Sequence, residues 1–276
     1  GNGFAVDRGG AHMPSAFVAS WGTGHPRIAV MCEYDATPGE TQAPVSHPHA
    51  QAGRLSGFTD LHNGIGVASA AAAVAIADAM KTEYKAIVDA GFILQIDAPG
   101  LGETWDMLIP HPTLEEYRKL QTMYVEALNH ALNGIPEDRV RYHLCWGSWQ
   151  GPHLGDLSLR DVVDLILSVN AQAYSIEAAN PRHSWEWKVW KDVKLPDNKV
   201  LIPGVIAHTT AVVEHPETVA ERIINYARVV GKERVIAGAD CGFAQGALYA
   251  RQHLSIMWAK FEALAEGARL ASQRLK

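Results

Sequence analysis

The sequence predicts an α/β fold of the (β/α)8 barrel type, incomplete at about five strand–helix units and preceded by a smaller N-terminal α/β fragment. Three observations predict it. β-Branched runs at 139–146 (RVRYHLCW), 171–177 (AQAYSIE) and 234–241 (RVIAGADC) are each followed by a stretch of helical periodicity, as repeated strand–helix units require. His143 and Cys145 lie near the end of the first run, and Glu177 and Cys241 close the other two, at the strand end where a barrel gathers its chemistry. Near residues 80–82 a Gly/Pro/His-rich segment with one Ala-rich helix gives way to regular strand–helix alternation, which divides the chain into 1–81 and 82–276.

Upstream of that seam, 16–21 and 27–33 read as strands joined by a Gly-Thr-Gly-His-Pro turn, because β-branched and aromatic residues flank strong turn formers. Residues 36–58 read as loop, and 64–80 as a helix whose small side chains suit close packing against a neighbour. Downstream, a short helix at 82–90 feeds a strand at 92–97, which Pro99-Gly100 breaks. A long helix follows: Thr113 and Glu116 form a capping-box pattern, Tyr117, Leu120, Tyr124, Leu128 and Ala131 make an apolar stripe, and Gly134 supplies the stop. Residues 200–206 form another strand. Pro216 opens a helix with Val219, Ile223, Tyr226 and Val230 on one face, and the last helix runs over 256–274. Five strands in the 195 residues from 82 to 276 fall short of a complete eight-stranded barrel, which typically needs about 250 residues.

With 276 residues and 47% apolar content the chain can bury a full core. Its 24 basic and 30 acidic side chains give a net charge of −6 without a clustered Lys/Arg stripe, which argues against nucleic acid as a partner. The alanine-rich stretch 67–80 is shorter than the roughly 20 residues that span a bilayer, so no membrane partner is expected. Three scattered cysteines, Cys32, Cys145 and Cys241, do not make a disulfide framework and point to a reducing, cytoplasmic location. The chain opens on Gly-Asn-Gly with neither an initiator Met nor a signal-peptide pattern, as a processed or truncated product would.

His143, Cys145, Glu177 and Cys241 are four candidate zinc ligands. His143 and Cys145, two apart on a strand, face the same way and can ligate together. Taken singly, His143 also reads as a core histidine and Cys145 as a small buried hydrophobe. Glu177 and Cys241 at equivalent strand ends favour the metal reading, since an acid there is costly to bury unpaired. Trp185, Trp187 and Trp190 read as core or interface packing.

The stretches FILQIDAPGL (92–101), RYHLCWGSWQGPH (141–153), YSIEAANPRH (174–183), KVLIPGV (199–205) and RVIAGADCGF (234–243) together resemble the cobalamin-independent methionine synthase family, including its coenzyme M and epoxyalkane transferase relatives. That resemblance covers about 82–276. It implies a barrel that joins a thiol to a carbon electrophile, with zinc as cofactor and His143, Cys145, Glu177 and Cys241 as its ligands. It also implies that Asp97 binds the amino group of an amino-acid thiol, although an Asp before Ala-Pro-Gly also suits a turn cap. Ala98 stands where the family pattern often has a second acid, which separates this chain from a strict homocysteine pattern. His153 as a catalytic group and His183 as a substrate-binding group lie in the matching motifs near strand ends.

Residues 1–81 resemble a different family, the metal-dependent amidohydrolases related to aminobenzoyl-glutamate hydrolases, through PRIAVMCEYDATPG (26–39) and GFTDLHNGIGVASAAA (57–72). At the family's ligand positions the chain has Phe58, Asp60 and His62, so only Asp60 and His62 keep ligating capacity, and Asp35 matches a nearby acidic position. His47, His49 and Glu33 read equally well as loop and strand-end polar residues. The expected function is therefore a zinc-dependent methyl or alkyl transferase, as in 5-methyltetrahydropteroyltriglutamate–homocysteine S-methyltransferase. Its partners would be a small-molecule thiol, homocysteine- or coenzyme M-like, and a methyl or alkyl donor. The alternatives are a metallo-amidohydrolase and a non-catalytic chimeric fragment.

Overall fold

The computed structural model describes residues 5–8, 17–20, 36–38, 56–58, 64–147, 153–246, 249–250 and 252–276. The chain divides into two compact units, Gly1–Ala79 and Met80–Lys276. In the first, β1 (Ala5–Arg8) pairs antiparallel with β2 (Phe17–Ser20), and β3 (Ala36–Pro38) pairs antiparallel with β4 (Ser56–Phe58). The strand expected at 27–33, together with Glu33, Asp35, His47, His49, Asp60 and His62, lies outside the described residues. The loop expected at 36–58 is corrected at both its ends, which pair as β3 and β4.

A second correction concerns the helix that follows. The sequence divides it near residue 81, whereas α1 runs unbroken over Gly64–Asp89. Neither Gly nor Pro occurs between Val67 and Ala90, so nothing interrupts the hydrogen-bond ladder at the compositional seam.

The second unit is built on β5 (Leu94–Asp97), β6 (Val140–Leu144), β7 (Ala173–Ile176), β8 (Val200–Ile206) and β9 (Gly238–Ala239). These form one five-stranded parallel sheet in chain order, a half-barrel with helices. Between β5 and β6 lie α2 (Gly100–Met107) and α3 (Leu114–Leu132). Pro99-Gly100 does end the strand, as the sequence reads it, but the sequence misses α2: Pro99 also sits at its N-cap position, where a missing N–H costs nothing. α3 starts with the reciprocal capping box of Thr113 and Glu116, both halves of which are present. α4 (Leu159–Leu167) joins β6 to β7, the 3-10 segment Glu186–Lys191 lies between β7 and β8, and α5 (Pro216–Val230) leads to β9. The short antiparallel pair β10 (Ala244–Gly246) and β11 (Tyr249–Ala250) precedes α6 (Leu254–Arg274).

The main core packs Leu94, Ile96, Tyr142, Leu144, Tyr174 and Ile176 of the sheet against Tyr117, Val125, Val162 and Ile166 of α3 and α4. A second cluster joins Val205 and Ile206 of β8 to Val219, Ile223 and Ala271 of α5 and α6. Because the strands are parallel and in register, with Asp97 opposite His143 and His143 opposite Ser175, their C-terminal ends share one rim. Among the described residues no helix is long and apolar enough to cross a membrane.

Candidate metal centre

Three of the four predicted ligands converge. The ligand atoms of His143, Cys145 and Cys241 all lie within 4.8 Å of one another. His143 is the fourth residue of β6 and is 4% exposed, Cys145 follows the strand at 3% exposure, and Cys241 follows β9. The Ser175 hydroxyl on β7 lies 3.1 Å from His143 Nδ1. His143 Nε2 is buried without a hydrogen-bond partner, 3.8 Å from Asp97 Oδ1.

The hydrogen bond between the two thiols pushes the Cys145 thiol well up, and burial and the Cys241 charge act in the same direction. Such a pair resists ionisation unless a cation compensates it. Glu177, just beyond β7, is 2% exposed, and its Oε2 lies 3.4 Å from the Trp146 backbone N–H that donates to it. Burial first, and the Asp240 carboxylate second, hold the Glu177 carboxyl well above the usual range. Its ligand atom groups within 4.8 Å of those of His208 and Asp240, beside the His-Cys-Cys set.

The donor set suits zinc. Two sulfurs and one imidazole match the borderline-soft preference of that ion, and an orphaned buried ring nitrogen is what a ligating His presents. The Ser175 hydroxyl supplies the outer contact that fixes the ring.

Sequence reasoning missed His208 and Asp240. Both were visible as polar residues at strand ends: His208 two positions past β8, and Asp240 inside the RVIAGADC run. Asp240 is 1% exposed, and burial pushes its carboxyl up to about 6, against three backbone hydrogen bonds that pull it down.

The other predicted residues lie around this core. Asp97 ends β5 with its side chain 62% exposed. His183 is 2% exposed and both its ring nitrogens are committed, Nε2 to Asp156 Oδ2 at 2.9 Å and Nδ1 to Glu186 Oε2 at 2.9 Å. Burial opposes charge on this imidazole, but the two carboxylates prevail and push it up to about 9. It stacks on Trp146 at 4.0 Å, next to Cys145. His153 Nδ1 is 2.9 Å from the same Asp156 Oδ2. A cavity of about 550 Å³ adjoins this network, lined by Trp146, Asp156, Asp106 and Glu103 among others. Trp190 is buried core, while Trp185 is 47% exposed.

Residues 66–259 match the profile of a family described as "Cobalamin-independent synthase, Catalytic domain". The chain is 25% identical over 176 residues to the 2-hydroxypropyl-CoM lyase of Xanthobacter autotrophicus, covering 55% of this chain and 45% of that protein. It is 26% identical over 179 residues to the uncharacterised protein YxjH of Bacillus subtilis, covering 61% and 46%. A third similarity is to one subunit of the p-aminobenzoyl-glutamate hydrolase of Escherichia coli, 41% identical over 75 residues, 27% of this chain and 16% of that one. The chain thus spans less than half the length of these relatives. In fold it is similar to a B12-independent methionine synthase from Shewanella solved in complex with selenomethionine. The TM-score is 0.55 at 16% identity, over 80% of this chain and 59% of that one.

Proposed function

The chain belongs to the family of cobalamin-independent synthase catalytic domains, and from that membership we propose that its strand-end site holds one zinc ion and activates a thiol for alkylation. The convergence of His143, Cys145 and Cys241 within 4.8 Å carries the reading, with Glu177 as the neighbouring fourth ligand. Zinc bound there would lower the pKa of a substrate thiol from about 8.5 and hold its sulfur for in-line attack on an alkyl carbon. Ser175 fixes the His143 ring so that Nε2 faces the site. Glu177, which groups with His208 and Asp240 in a second buried cluster, would be the weakest-held of the four ligands and would leave room for a substrate sulfur on the metal.

Asp97 is the exposed carboxylate at the mouth of the site and binds an ammonium group on an amino-acid thiol. His183 and His153 share Asp156, and His183 supports Trp146 from behind. We assign His183, whose ring nitrogens are both committed to carboxylates, a supporting place against Trp146 in place of the substrate-binding one the sequence suggests, and His153, on the segment beside the cavity, a place near the reacting groups. The thiol acceptor is homocysteine- or coenzyme M-like, and the donor carries a methyl or other alkyl group.

The test is alkylation of each thiol by the zinc-loaded full chain, scored as thioether product. Zinc-dependent product that disappears in Cys145→Ser supports the reading. Product formation that survives that substitution contradicts it.

A further inference from the structure

The Asp240 carboxylate reaches across a whole strand. Its Oδ1 accepts hydrogen bonds from the Ala178 and Ala179 backbone N–H groups at 2.8 Å each, and its Oδ2 accepts one from Asn180 at 2.8 Å. Three successive backbone N–H groups therefore converge on one buried anion, an arrangement worth more than isolated neutral hydrogen bonds. The three donors directly follow Glu177, and Asp240 directly precedes Cys241. The sheet order places β8 between the strands that carry them.

Crossing β8 requires a gap in its row of side chains, and Gly204 provides it. A Cβ there would lie 2.1 Å from Asp240 Oδ1 and 2.5 Å from its Cα. The Asp240 backbone N–H is anchored to Ile206 O of β8 at 3.0 Å. Arg222 of α5 braces the crossing, donating to Val205 O at 2.9 Å and to Ala179 O at 3.4 Å.

We propose that Asp240 is a positioning residue that holds Glu177 in reach of the metal by fixing the 178–180 turn, so that one carboxylate couples two ligand-bearing strand ends. The proposal rests on the zinc reading above and adds a residue that touches neither metal nor substrate in that reading. Because the carboxylate is consumed by three main-chain donors, its task is geometric. An Asn in its place offers one acceptor oxygen and sets an NH2 group against an N–H donor.

The experiment is a double-mutant cycle on zinc affinity of the full chain, measured by competition with a chromophoric chelator. The chains are unsubstituted, Asp240→Asn, Glu177→Ala, and both together. Asp240→Asn is expected to weaken zinc binding roughly 10- to 100-fold in the unsubstituted background. It should change affinity less than about twofold in the Glu177→Ala background, because the coupled residue is already gone. An equal loss in both backgrounds overturns the proposal and makes Asp240 a general stabiliser. Failure of the unsubstituted chain to bind zinc overturns the zinc reading and this inference with it. If Asp240→Asn does not fold, hydrogen exchange on the unsubstituted protein decides. Slow exchange of the 178–180 amides is expected, and exchange as fast as in exposed loops overturns the clamp.

Discussion

His143 and Ser175 stand opposite each other on adjacent strands, with the Ser175 hydroxyl 3.1 Å from Nδ1 and the other ring nitrogen, Nε2, buried without a hydrogen-bond partner. In the proposed zinc site the hydroxyl would hold the ring so that Nε2 is free to join the Cys145–Cys241 pair as a ligand. Removing it should leave the three ligands in place and loosen one of them. Ser175→Ala is expected to weaken zinc affinity by about 10- to 100-fold with little change in melting temperature, read by chelator competition and circular dichroism.

His183 gives the fold a pH dependence of defined sign. Its folded pKa, pushed up to about 9, lies above the unfolded value near 6.5. The ion pairs with Asp156 and Glu186 therefore contribute fully below about pH 6.5, and their contribution is lost as pH rises through 9. The stability difference between the unsubstituted chain and His183→Asn should shrink between pH 6 and pH 10 by an amount on the order of 3 kcal/mol at most. Urea unfolding at the two pH values measures it.

Lys260 of α6 is fully buried, and its ammonium group donates to Glu214 Oε2 at 2.9 Å and to the Val212 carbonyl. Glu214 in turn accepts from the Ala207 N–H at 2.7 Å, beside His208. Lys260→Met removes one partner of a buried pair and should cost about 3–5 kcal/mol, seen as a lower urea midpoint. Zinc stoichiometry should persist below the transition, because none of the four proposed ligands is touched.

Helices α5 and α6 meet at Gly267, where an added Cβ would sit 2.4 Å from Val219 Cγ1. Gly267→Ala must push these helices apart, and the overpacking should cost about 1–3 kcal/mol in a thermal melt. The double variant Gly267→Ala with Val219→Ala should recover little of that loss, because the Val219 Cβ at 2.5 Å and the Pro216 carbonyl at 2.9 Å still meet the added methyl.

The parallel half-barrel was legible because its strands carry β-branched runs and its helices carry caps, as Thr113 with Glu116 shows. The convergence of His143, Cys145 and Cys241 was legible for a related reason, since parallel strands bring their ends to one rim. Composition misled at α1, where a change of residue type at 80–82 carries no backbone signal. Pro99-Gly100 was legible as the end of β5 but not as the start of α2, because the same residues that stop a strand also open a helix. The environment of Glu177 was not legible, since the Asp240 carboxylate meets its turn across β8, through a gap at Gly204 that no local pattern announces. The commitment of both His183 nitrogens likewise depends on Asp156, far away in sequence.

The central claim is that the strand ends form a zinc centre, and zinc stoichiometry tests it most directly. Elemental mass spectrometry of the purified full chain, beside Cys145→Ser and Cys241→Ser, should find about one zinc per chain, lost in both variants. Absence of zinc after reconstitution, or zinc retained in both variants, would contradict the account.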